Sequence, residues 1–189
     1  MRLPGLALGF VPWALFLVMP HREGDHALLF SSILTALVAL VLTHWTRGRA
    51  GIKWLGATAV LIFAGFAAAS LVSFPSSTWL SEYASAIALF VLAAVMATST
   101  LGVTFTEQYA RESLPKEYWG APRLRSLNVR ISATWAVCTF AAALSMTVAA
   151  AVADPFSKYF ALAWIVPVCL TLFASRYTAT SLGALTSRA

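Results

Sequence analysis

Six stretches without a single Asp, Glu, Lys or Arg run through this chain of 189 residues: 3–19, 27–45, 54–74, 84–105, 131–153 and 159–175. At a rise of 1.5 Å per residue, a hydrocarbon core about 30 Å thick needs about 20 apolar residues, with about 17–25 tolerated. All six stretches fall within that window. A soluble domain is excluded by composition, since 60% of the residues are hydrophobic and 11% charged, against about 45–50% and about 25% in ordinary soluble domains. Inside lipid every backbone N–H and C=O must find a partner within the protein, which leaves helices or a closed barrel. The runs are continuously apolar rather than alternating, so helices are expected. The expected fold is all-α: one polytopic domain over 1–189 with six transmembrane helices. The first run is read as a retained helix rather than a signal peptide, because Val18-Met19-Pro20-His21 offers no small-residue cleavage site.

Orientation follows from the basic residues, which are retained on the cytoplasmic side. One set of loops and ends holds Arg2, Arg47, Arg49, Lys53, Arg111, Lys116, Arg123, Arg125, Arg130, Arg176 and Arg188, whereas the opposite set holds Arg22 and Lys158. This asymmetry predicts both termini in the cytoplasm, and it accounts for the net charge of +6 without nucleic acid as a partner. Trp45, Trp54, Trp79 and Trp164 stand near the ends of the runs, where interfacial aromatics belong.

Four of the five connections are short, which predicts antiparallel neighbours. The exception, 106–130, holds eight charges with Tyr109, Tyr118 and Trp119. Thr106 is a candidate helix cap, and Glu107 with Arg111 and Glu112 with Lys116 are spaced i, i+4 in the favourable order. Pro115 should end that helix near Leu114. The expectation is a short interfacial helix in the loop between transmembrane helices 4 and 5. Tyr109, Tyr118 and Trp119 would dip toward headgroups, and Arg111, Lys116, Arg123, Arg125 and Arg130 would contact lipid phosphates or a partner.

Pro12 and Pro167 lie within the first and last runs and should kink both helices, since each removes a helical hydrogen bond. Small residues recur at four-residue spacing, as in Gly65 with Ala69, Ala93 with Ala97 and Ala143 with Thr147, which lets helix backbones approach. The loop from His21 to His26 carries metal-ligand residue types but matches no zinc spacing, and no metal is expected. Cys138 and Cys169 fall inside the runs, form no Cys-x-x-Cys and read as small buried apolar residues. No nucleophile elbow, zinc-protease motif or phosphate loop occurs. No His pair at membrane depth could hold haem. No catalytic residue and no cofactor is therefore expected. The cores of the six runs also hold no ionisable group of the kind that proton-coupled carriers need; His44 lies at the end of the second run.

The order of features resembles the bacterial septation protein A family of small inner-membrane proteins. The resemblance is carried by Phe10-Val11-Pro12 in the first run, by Trp45, Arg47 and Arg49 after the second, and by Leu127-Asn128 with Trp135-Ala136-Val137 entering the fifth. The stretch from Phe105 to Glu112, with Pro115-Lys116-Glu117-Tyr118-Trp119 after it, is similar to uncharacterised bacterial membrane proteins of the same kind. The likeness covers nearly the whole chain; a higher Ala content and a longer charged fourth loop depart from the pattern. It implies a multi-pass protein of the bacterial plasma membrane that acts in envelope maintenance or cell division without catalysis, through membrane lipids and a protein partner or a second copy of itself. The rival reading from the residues is a small permease or lipid-handling transporter that uses the kinked first and last helices.

Overall fold

The structure, a computed structural model, describes residues 3–19, 26–47, 51–72, 78–112, 116, 119, 121–152 and 160–186. The described chain is all-helical. Its elements are α1 (Leu3–Val18), α2 (Ala27–Trp45), α3 (Trp54–Val72), α4 (Thr78–Ser99), α5 (Phe105–Ala110) and α6 (Pro122–Ala151). A π-helical turn, Ala161–Ile165, then leads without a break into α7 (Val166–Thr186). Among the described residues, five helices are long and apolar enough to cross a membrane: α2, α3, α4, α6 and the continuous π-turn–α7 rod. α1 has 16 residues, a length of about 24 Å.

Three helix boundaries lie beyond the uncharged runs, each because a charge limits how deeply a helix can sit in lipid without ending it. α4 starts at Thr78 rather than at 84 and carries an exposed Glu82 in its second turn. It stops at Ser99, where Thr100, Leu101 and Gly102 donate backbone hydrogen bonds back to Ala97, Thr98 and Ser99. Phe105 therefore belongs to the next helix. α6 starts at Pro122 rather than at 131, because Pro suits the first helical turn, whose N–H groups have no partner within the helix. The last helix likewise continues past Arg176 to Thr186.

The distribution of side chains is that of a helical membrane protein. Phe30, Leu61, Val72, Leu101 and Phe173 stand outside, whereas Ser31, Ser32, Thr35, Ser70, Thr139 and Thr178 are buried. Most of the buried hydroxyls bond within their own helix, as Thr35 does to the Ser31 carbonyl at 2.7 Å and Ser70 to that of Phe66 at 2.8 Å. Helix order in the bundle follows chain order. α2 pairs with α3, α3 touches α4, α4 packs along α6, and α6 along α7, while α1 lies against α2, α3 and α4. The aromatic core sits between α1 and α3, where Phe16 packs on Phe63 and Phe66 at centroid distances of 4.6 and 5.6 Å. Trp13 there donates its indole N–H to the Leu55 carbonyl at 3.3 Å.

Both prolines lie inside helical segments, as expected. In the π turn the carbonyl of Leu162 would take the N–H of residue 167, five positions on, and Pro167 has none. Ser145 of α6 supplies the missing donor through its hydroxyl at 2.7 Å.

Candidate functional site

Two regions stand out: a buried polar lock at the end of the bundle that carries the basic loops, and an apolar cavity beside it. The lock is built on α5. Thr104 has extended backbone and accepts the Glu107 N–H at 3.1 Å, so it caps the helix two residues before the Thr106 expected from sequence. Thr106 instead points into the bundle, within 2.9 Å of the Ser132 hydroxyl, and donates to the Asn128 carbonyl of α6 at 3.1 Å. Gln108 accepts the backbone N–H of Trp54 at the start of α3 at 2.9 Å, and the Ser99 hydroxyl accepts that of Phe105 at 3.2 Å.

α5 is therefore buried rather than interfacial, and every one of its six residues is inside. Its hydrogen bonds tie it to α3, α4 and α6, which a helix lying flat among headgroups could not do. Tyr109, expected among headgroups, is 2% exposed. Its phenol is held neutral, its pKa raised by burial and secondarily by the charge of Glu112.

The ion pairs divide in the same way. Glu107 and Arg111 pair as spaced, with the guanidinium Nη2 2.7 Å from the carboxylate, and Arg111 lies over the Trp119 ring at 5.0 Å. Glu112, however, pairs with Lys53 at 2.9 Å rather than with Lys116. Lys53 is 5% exposed and also sits 4.7 Å from the centre of the Tyr109 ring. Of the residues expected to face lipid phosphates or a partner, Lys116, Arg123, Arg125 and Arg130 are exposed, whereas Arg111 and Trp119 are half-buried against each other. Tyr118, Pro115 and the segment from His21 to Asp25 lie outside the described residues. Lys53, Gln108, Asn128 and Ser132 were not expected at this site. A Lys directly before a run and an Asn-x-x-x-Ser step on α6 are their only sequence signals.

The cavity, about 410 Å³, is bounded by α1, α4, α6 and α7. On α1 its wall extends from Leu6 to Leu17, and on α7 from Pro167 to Thr178, about 16 Å in each case. Leu89, Leu92, Trp135, Cys138 and Ala142 close the sides, and Phe10 stacks on Trp135 at 4.8 Å. Its few polar groups direct their hydrogens elsewhere. Thr171, Ser175 and Thr178 each donate to a carbonyl one turn back on α7 at 2.8 Å. Trp135 donates to the Thr178 oxygen at 3.0 Å. Among the described residues no charged side chain lines it. Such a surface offers dispersion contacts along its length and nothing to balance the desolvation of a polar solute. Among the described residues no group of three or more His, Cys, Asp or Glu gathers in space. Comparison with protein families, curated proteins and solved structures finds no match for this chain.

Proposed function

We propose that this chain is a non-enzymatic lipid-handling protein of the bacterial plasma membrane that takes one hydrocarbon chain into the cavity between α1 and α7. The observation that carries this reading is the cavity itself: elongated, uncharged, walled by the two proline-containing helices, and sized within the range of small-molecule sites, about 300–1,000 Å³. In this reading α1 crosses as a sixth span and both termini face the cytoplasm, as the basic residues at one end favour. Arg123, Arg125 and Arg130, exposed on the first turns of α6, then lie at the headgroup level of the inner leaflet. The layout likeness to the septation protein A family supplies the setting, envelope maintenance or cell division.

The test is native mass spectrometry of the protein released from nanodiscs, comparing wild type with Ala142→Phe. Ala142 is buried in the cavity wall, and a phenyl group there occupies the space a chain would take. Retained lipid should be prominent in wild type and lost in Ala142→Phe; equal lipid on both would refute the reading. A second reading, docking of a protein partner or a second copy, is favoured by the same exposed Arg123, Arg125 and Arg130. Their joint change to Gln would then remove a co-purifying subunit while leaving cavity lipid in place.

A further inference from the structure

A second, much smaller pocket lies between α1, α2, α3 and α5. Leu8, Gly9, Pro12, Thr43, Lys53 and Tyr109 contribute to its wall. Its volume is about 10 Å³, at the threshold for one water molecule and below what any larger ligand requires. Two side-chain oxygens buried there, Tyr109 Oη and Thr43 Oγ1, have no hydrogen-bond partner in the protein. Such orphans are few in folded proteins, because each forfeits its hydration for nothing.

A third polar group comes from the proline inside α1. Pro12 has no N–H to give the carbonyl of Leu8, one turn earlier. Two glycines bring these groups together. A Cβ on Gly9 would meet the Tyr109 hydroxyl, and a Cβ on Gly56 would meet the Thr43 oxygen. The glycines thus let two hydroxyl-bearing side chains reach a gap that Leu8 and Pro12 help to line.

We propose that this pocket binds one ordered water molecule that pins α1 at Pro12 to α2 and α5. The water donates to the Leu8 carbonyl and to one of the two hydroxyl oxygens, and accepts from the other hydroxyl or from the Lys53 ammonium. That gives it the two to four partners a buried water requires, and it satisfies backbone freed by proline in the way ordered waters do within membranes. A metal or alkali cation is disfavoured by the same surroundings, since the cationic Lys53 contributes to the pocket wall.

Tyr109→Phe tests the site through the sign of its effect. If the hydroxyl holds a water, deleting it breaks a network and lowers the unfolding temperature by about 2–4 °C. If the hydroxyl is simply stranded, deleting it leaves the temperature unchanged or raises it, which overturns the proposal. The unaltered protein gives an independent reading through radiolytic hydroxyl labelling in nanodiscs, because a side chain touching bound water is oxidised despite burial. Tyr109 should label at least several-fold faster than Phe63, which is 0% exposed and packed among aromatic rings. Equal labelling of the two would also overturn the site.

Discussion

Lys53 and Glu112 form a pair with unequal burial, and removing either partner should therefore cost different amounts. Lys53 is 5% exposed and Glu112 25%. Glu112→Gln leaves a buried ammonium without its counter-charge, a loss of about 3–5 kcal/mol when both partners are fully buried. The partial exposure of Glu112 brings the expectation to about 2–3 kcal/mol. Lys53→Met removes the buried cation and keeps most of its aliphatic volume. It forfeits the contact with the Tyr109 ring, about 0.5–1 kcal/mol, and leaves a carboxylate that water can reach, for a total of about 1 kcal/mol. The double variant should then lie close to Lys53→Met alone, because the stranded charge is gone. Reversible unfolding in mixed detergent micelles, followed by tryptophan fluorescence, measures all three. If Lys53→Met costs as much as Glu112→Gln, the reasoning from unequal burial fails.

Three further outcomes follow from described contacts. Ser145→Ala should cost about 1–3 kcal/mol by stranding the Leu162 carbonyl, and adding Pro167→Ala should recover much of it by restoring a backbone donor; the same unfolding assay would reveal a failure of that rescue. Thr104→Ala, which removes the α5 cap, should cost about 0.5–2 kcal/mol and speed hydrogen exchange at Glu107; an unchanged rate would argue against the cap. Tyr109 has a folded pKa raised above the ordinary phenol value of 10.0, so above that pH the unfolded state releases a proton that the folded state retains. Stability should therefore fall as pH rises past 10 and should do so less steeply in Tyr109→Phe; parallel pH profiles would refute this.

The long apolar helices were legible because exclusion of charge from lipid is a strong, one-dimensional signal, and α2 is found over the very residues expected, 27–45. Boundaries failed where charge and helicity part company. The charges of Arg123, Arg125 and Arg130 oppose immersion in lipid without breaking the α6 helix, and that of Glu82 does the same in α4. The burial of α5 was not legible. Its Glu107–Arg111 spacing reads equally well as a solvated surface helix, and only three-dimensional proximity shows that Thr106 meets Ser132 and that Glu112 meets Lys53 rather than Lys116. The cavity was foreshadowed by Pro12 and Pro167, although only Pro167 lines it; Pro12 faces the smaller pocket.

The length of α6 bears on the depth at which the bundle would sit in a bilayer. Its 30 residues make a rod of about 45 Å, well beyond a hydrocarbon slab of about 30 Å. Its charged residues, however, all lie in its first nine positions, ending at Arg130, and the apolar remainder from 131 to 151 spans about 32 Å. That remainder matches the slab with little tilt, so Arg130 serves as a depth mark for α4 and α7, which pack along the same rod. In a thinner bilayer α6 must lean to keep Arg130 at the surface, and the wall that α6 contributes to the cavity leans with it. Bilayer thickness thereby becomes a variable that acts on the cavity's shape.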